Sequence, residues 1–95
     1  MWNLSKLTLI LLFLPLVISC SSNEIKVQVM AASSLTEAFK DMVLAFETEN
    51  PGVDVQLDFG GSQRLRSQIE FGAKADIFAS ADYWQMEQLV SAGLI

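Results

Sequence analysis

The chain has 95 residues, with 11 acidic and 6 basic side chains, one cysteine and no histidine, and its formal net charge is −5. An acidic chain is a poor nucleic-acid binder, because contacts from Lys and Arg to phosphate supply most of that affinity. A single cysteine excludes an internal disulfide framework and a thiolate metal cluster. Without histidine, the sequence cannot supply a Ser-His-Asp triad or a histidine-bearing metal site.

The first 19 residues have the pattern of a bacterial export signal. A short segment containing Lys6 precedes the apolar run Leu7–Ile18, and this run accounts for most of the positive mean hydropathy of +0.38. The run is shorter than the roughly 20 residues of a membrane-spanning helix, and Pro15 interrupts it. We therefore expect residues 1–19 to be a signal peptide.

The end of this signal, Val17-Ile18-Ser19-Cys20, resembles the lipobox of bacterial lipoproteins. The resemblance implies that Cys20 is acylated and becomes the first residue of the mature protein; the alternatives are an uncleaved anchor or an ordinary buried cysteine. Residues 20–24 would then be a tether, and the mature chain would carry five basic and eleven acidic side chains, a net charge of −6. We expect an exported protein, lipid-anchored to the outer face of the cytoplasmic membrane or in the periplasm.

From residue 25 onward the apolar pattern alternates between the period of a strand and that of a helix. It predicts three strands, over residues 25–32, 53–59 and 76–79. It also predicts three helices: one whose apolar face lies within residues 35–46, one that follows the turn 60–62 and ends at Gly72, and one that begins at Asp82 and ends at Gly93. A βαβαβα order predicts an α/β fold with a parallel sheet flanked by helices. Three strands would leave sheet edges and apolar helix faces uncovered, so we expect residues 25–95 to be a partial first lobe of a longer protein.

Ligands of a parallel sheet bind where the strands end and the following helices begin. Three such turns are predicted, and they are Ala32-Ser33-Ser34, Gly60-Gly61-Ser62 and Ala79-Ser80-Ala81-Asp82. Free backbone N–H groups at a helix start, together with a hydroxyl donor, can hold an oxyanion without any formal positive charge. Glycines before Ser62 would let the backbone approach such a ligand closely.

Each of these polar residues also has a structural interpretation. Ser34 begins an S-x-x-E capping box with Glu37, and Ser62 could be an N-cap after the glycine turn. Asp82 is most simply a cap. Arg64 and Arg66 are expected on a solvated helix face, with Arg64 close enough to the turn to steer an anion. Asp76 is expected to be a structural hydrogen-bonding residue at a strand start.

Three segments together resemble the periplasmic molybdate-binding proteins. They are Met30–Phe39 (MAASSLTEAF), Phe59–Ala73 (FGGSQRLRSQIEFGA) and Ala75–Asp82 (ADIFASAD), in the order and spacing of that family. Ser33 stands where the family more often has alanine, and Gln63–Ser67 replaces a run of smaller residues.

The resemblance implies a three-layer lobe of the type II periplasmic-binding-protein fold and a solute-binding component of an ABC importer, not an enzyme. It assigns Ser34 and Ser62 as ligands of molybdate or tungstate, with Ser33 and Gly61 adjacent to the ligand. It further implies an ABC permease as partner, a membrane contact through the lipid on Cys20 and a monomer when the protein is full length. It implies no cofactor and no bare metal cation. The other ligands would belong to a second lobe, so residues 20–95 alone should bind molybdate poorly.

Three other hypotheses remain open on the sequence. The same scaffold could hold sulfate, phosphate or another small solute. An exported α/β enzyme acting, for instance, on phosphate esters would need catalytic residues from a carboxyl-terminal half that this sequence lacks. A purely structural lipoprotein would use Ser34 and Ser62 only as caps.

Overall fold

The computed structural model describes residues 23–95, which form three parallel strands and three α-helices in the predicted βαβαβα order. The strands are β1 (Ile25–Ala32), β2 (Val53–Gly60) and β3 (Ile77–Ala79). The helices are α1 (Thr36–Glu49), preceded by a 3₁₀ turn over Ser33–Leu35, α2 (Ser62–Glu70) and α3 (Tyr83–Ser91). The predicted signal peptide and Cys20 lie outside the described residues.

The sheet has the order β2-β1-β3, so β1 is its central strand. The second half of β1, Val29–Ala32, is buried, as expected for a strand with neighbours on both sides and helices on both faces. The chain passes from β1 to one side of the sheet and returns across β1 to the other side. This reversal is a topological switch point, the place where open α/β sheets bind ligands.

The main core lies between the sheet and the pair α2 and α3. It is a cluster of five buried side chains, with Ala75 and Met86 packed against it: Met30, Leu65, Ile69, Phe78 and Leu89. Leu65 and Leu89 are fully buried, and each such side chain contributes about 1.5–3 kcal/mol of transfer free energy. This packing fixes the starts of α2 and α3 relative to the ends of the strands.

The opposite face of the sheet is covered by α1, and none of its residues is fully buried. Between α1 and the strands lies an apolar groove, which includes Val29, Phe39 and Phe46. Phe46 is 47% exposed and Leu44 is 71% exposed. The expectation that apolar helix surface would remain uncovered is therefore met in residues 23–95.

Helix ends and strand starts follow the predicted signals. Gly72 ends α2 with φ of 103°, and Gly93 follows α3 with φ of 69°; this left-handed backbone favours glycine. Asp76 precedes β3, and its carboxylate accepts a hydrogen bond from the Gln28 N–H at 2.7 Å while its own N–H donates to the Gln28 carbonyl at 2.8 Å. The structural interpretation of Asp76 is confirmed. Within residues 23–95, no helix combines the length and the apolar character that a membrane crossing requires.

Candidate functional site

The three predicted turns lie side by side at the carboxyl edge of the sheet. Ala32, the last residue of β1, pairs with Gly60, the last residue of β2, and Ala31 pairs with Ala79 at the end of β3. Neighbouring strands lie about 4.8 Å apart, so the turns that leave these ends are neighbours as well. Serines far apart in sequence are therefore brought to one edge.

The first turn begins with an exposed 3₁₀ turn rather than directly with α1. Neither the residue before this turn nor Leu35, which precedes α1, makes a side-chain capping hydrogen bond. Ser34 is exposed, and the carbonyl of Ser33 accepts a hydrogen bond from the Thr36 hydroxyl at 2.7 Å. The capping-box alternative for Ser34 is therefore wrong, because the 3₁₀ turn moves the start of the helix two residues beyond it.

The second turn places Ser62 one position inside α2. Gly61 is the N-cap residue, with φ of −62° and ψ of 136°, and it makes no side-chain cap. The first intrahelical bond runs from the Leu65 N–H to the Gly61 carbonyl at 3.0 Å. Ser62 is therefore not the N-cap, and its N–H is one of the helix-start donors that have no partner within a helix.

The third turn differs from the other two because a carboxylate already occupies its helix start. Asp82 is the N-cap of α3, and its side chain accepts a hydrogen bond from the Trp84 N–H at 2.7 Å. The Ser80 hydroxyl accepts from the Asp82 N–H at 3.0 Å and donates to the Asp82 carbonyl at 2.6 Å. The prediction that Asp82 is a cap is confirmed, and this negative charge disfavours a bound anion at α3.

A hydrogen bond joins the second turn to the third. The Ala81 N–H donates to the Ser62 hydroxyl oxygen at 3.0 Å, and Ser62 is half-buried. Sequence reasoning did not identify Ala81, because a backbone group of a small residue carries no compositional signal. Only the placement of β3 beside β1 brings it to Ser62.

The two arginines of α2 have different surroundings. Arg64 is exposed, and its guanidinium lies over Gly60 and donates to the Phe59 carbonyl at 3.0 Å. Arg66 does not belong to a solvated face, and that interpretation is wrong: its side chain is 21% exposed and joins Glu70 and Gln85, each at 2.6 Å. Arg66 thus ties α2 to α3, while the steering role of Arg64 stays a prediction.

The edge itself is open, and its donors are neutral. A cavity of about 820 Å³ lies instead beside α2, and Gln68 and Lys74 are among the residues that line it. Neither Ser34 nor Ser62 lines this cavity.

Residues 23–95 contain no group of three or more Asp, Glu, Cys or His side chains placed to hold a metal ion. The hydrogen bond and the charge of Glu87 raise the pKa of Tyr83 above its ordinary value. The turns at the edge can donate hydrogen bonds to a small anion.

Residues 27–95 match the family of bacterial extracellular solute-binding proteins. The chain belongs to this family. Members are solute-binding proteins rather than enzymes, as the sequence analysis expected. The matched region begins in β1 and includes all three turns at the carboxyl edge of the sheet.

Two curated relatives are molybdate-binding proteins. The protein ModA of Mycobacterium tuberculosis (strain ATCC 25618 / H37Rv) is 48% identical over 67 residues, which are 70% of this chain and 26% of that protein. ModA of Escherichia coli (strain K12) is 46% identical over 69 residues, 73% of this chain and 26% of its own length. The chain thus spans about a quarter of the length of these relatives.

A solved structure has the same fold. The substrate-binding domain from Clostridium difficile, described as that of a molybdenum ABC transporter, superposes with a TM-score of 0.70 at 32% sequence identity. The superposition covers 73% of this chain and 30% of the other. The predicted fold class, an α/β parallel-sheet lobe of a periplasmic binding protein, is confirmed.

Proposed function

We propose that the protein is the solute-binding component of a molybdate ABC importer, and that Ser34 and Ser62 hold the oxyanion. The observation that carries this proposal is that Ser34, in the 3₁₀ turn before α1, and Ser62, at the start of α2, follow paired strand ends and that neither turn has a side-chain cap. A hydroxyl and unpartnered N–H groups are present in each turn, and both are the donors that an oxyanion accepts.

Neutral donors explain how an acidic protein could bind a dianion. The N-terminus of a helix carries the equivalent of about half a positive charge, and N–H groups held by the fold can meet an anion without side-chain reorganisation. Hydrogen bonds to a charged acceptor are about twice as strong as neutral ones. The site needs no lysine or arginine, and Ser33 and Gly61, both exposed next to the two ligands, leave room for the anion to approach.

The choice of molybdate rests on the relatives, both of which are named for molybdate binding. Tungstate is proposed as an equivalent ligand because it is also a tetrahedral dianion presenting oxygens to the same donors. Sulfate and phosphate would meet the same hydroxyl and N–H groups. Selection among these anions depends on donor distances in the closed site, so ion identity is the point to measure.

The rest of the proposal concerns location and partners. We propose that residues 1–19 are removed, that Cys20 is lipidated, and that residues 20–24 tether a first lobe formed by residues 25–95. Such a protein would be held outside the cytoplasmic membrane beside an ABC permease, would act as a monomer and would use no cofactor. A structural lipoprotein is disfavoured, because neither Ser34 nor Ser62 caps its helix.

Calorimetric titration tests the proposed ligand. The mature protein, from Cys20 to the end of its reading frame, would be titrated with molybdate, tungstate, sulfate and phosphate at the same ionic strength. We expect molybdate and tungstate to bind at least about a hundredfold more tightly than sulfate, a difference of about 2.7 kcal/mol. Sulfate or phosphate binding as tightly as molybdate would reject the molybdate assignment while leaving an anion site.

A further inference from the structure

The turn between β3 and α3 contacts the proposed anion site without supplying a ligand to it. Its residue Ala81 donates its N–H to the Ser62 hydroxyl oxygen at 3.0 Å, although 19 residues separate the two. The turn is held by its own contacts, since Ser80 bonds both the N–H and the carbonyl of Asp82, and Asp82 caps α3. Leu89 of α3 is fully buried in the core, which anchors the helix that follows the turn.

A serine hydroxyl has one proton to donate and two lone pairs that accept. With the Ala81 N–H donating to the oxygen of Ser62, an acceptor position of this hydroxyl is filled and its rotation is restricted. The proton must then point away from Ala81. Among residues 23–95, the hydroxyl proton of Ser62 has no hydrogen-bond acceptor, so it can bond a ligand.

We propose that Ala81 is a positioning residue, whose N–H orients the Ser62 hydroxyl as a donor to the bound oxyanion. This inference rests on the proposed function, since it assumes that Ser62 is a ligand. Two effects follow from the geometry. The hydroxyl loses less freedom on binding, because its orientation is already set. A chain in which an N–H donates to a hydroxyl that donates to an anion is also polarised along its length, which strengthens each bond.

Removal of this N–H tests the inference. Ala81→Pro deletes the donor, and Ala81→Gly keeps it, so the second variant is the matched control. In the mature protein, from Cys20 to the end of its reading frame, Ala81→Pro should weaken molybdate binding roughly fivefold, and Ala81→Gly should bind like the wild type. In a Ser62→Ala background, Ala81→Pro should have no further effect on affinity, because the contact that it removes is already gone.

Ser80→Ala provides a second route if proline prevents folding. It leaves Ser62 and Ala81 unchanged and removes the two hydrogen bonds between the Ser80 hydroxyl and the backbone of Asp82. We expect Ser80→Ala to lower the affinity for molybdate severalfold and Ser80→Thr to keep the wild-type affinity. In a Ser62→Ala background, Ser80→Ala should have no further effect.

Each outcome decides between the claims. Suppose that Ala81→Pro lowers the affinity equally in the wild-type and Ser62→Ala backgrounds, or in neither. This result would overturn the role of Ala81, and the proposed function would stand as long as Ser62→Ala itself weakens binding. If Ser62→Ala binds molybdate normally, the ligand assignment fails, and the role of Ala81 fails with it. If the wild-type protein does not bind molybdate, the proposed function itself is wrong.

Discussion

The carboxylate of Asp82 accepts a hydrogen bond of 2.7 Å from the Trp84 N–H, so α3 begins with its own negative charge in place. The 3₁₀ turn that contains Ser34 and the helix start at Ser62 have no such group. One edge of the sheet thus carries a helix start that is capped by its own carboxylate and two turns that are open to a ligand. This contrast separates the stabilising role of Asp82 from the binding role proposed for the serines.

Replacement of Asp82 should affect stability. We expect Asp82→Ala to lower the free energy of unfolding by about 1 kcal/mol, because a helix N-cap is lost. Asp82→Asn keeps an oxygen acceptor and should retain most of that stability. Urea denaturation of the two variants measures the difference; equal stability of Asp82→Ala and Asp82→Asn would show that the cap contributes nothing.

A side chain at Gly60 should displace Arg64. A Cβ added at Gly60 would lie 2.8 Å from Arg64 Cζ, whereas one added at Gly61 would meet nothing within 4 Å. Gly60→Ala must displace the guanidinium and break its bond to the Phe59 carbonyl. Because Arg64 is flexible and exposed, we expect a loss of no more than about 1 kcal/mol in unfolding free energy. Gly61→Ala, at a backbone conformation that alanine adopts easily, should change it by less than about 0.5 kcal/mol.

The same measurement in an Arg64→Ala background identifies the cause. There the cost of Gly60→Ala should largely disappear, because the clashing group is absent. An undiminished cost would mean that the space around Gly60 is limited by something other than Arg64.

Arg66 should couple α2 to α3 energetically. Its Nε donates to Gln85 Oε1 at 2.6 Å, and its Nη1 bonds Glu70 within α2. A double-mutant cycle of Arg66→Met and Gln85→Met, followed by urea denaturation, should give a coupling of about 0.5–1.5 kcal/mol. A coupling near zero would place Arg66 among solvated surface charges, as the sequence pattern first indicated.

Lipidation of Cys20 can be checked by mass spectrometry of the purified protein. The protein purified from membranes should begin at residue 20 and carry the added mass of acyl chains, because several chains together are needed for stable anchoring. Cys20→Ser should lack that mass and leave the membrane fraction. A mature protein that begins elsewhere, or that remains on the membrane as Cys20→Ser, would reject the lipobox interpretation.

The sequence predicted the architecture well because its local signals agree with one another. Alternating residues in β1 and the glycines that end α2 and α3 each specify local geometry, and the observed elements match them. Side-chain partners across elements were less predictable. The place of Arg66 depends on the packing of α3 against α2, which no local pattern encodes.

Within the candidate site, the sequence predicted where the three turns lie but not how they are built. The S-x-x-E pattern at Ser34 indicates a capping box, yet a 3₁₀ turn intervenes and leaves the serine outside the helix start. The contact from Ala81 to Ser62 depends on strand order, because β3 lies beside β1 and brings its following turn toward α2.

The central claim is that Ser34 and Ser62 bind the anion rather than stabilise the fold. The most direct measurement is the affinity for molybdate and the melting temperature of the wild-type, Ser34→Ala, Ser62→Ala and doubly substituted mature proteins. We predict that each single substitution weakens binding at least about tenfold, since each removes a hydrogen bond to a charged ligand, while the melting temperature without ligand changes by less than about 2 °C. Unchanged affinity in the doubly substituted protein, together with a lowered melting temperature, would contradict the account.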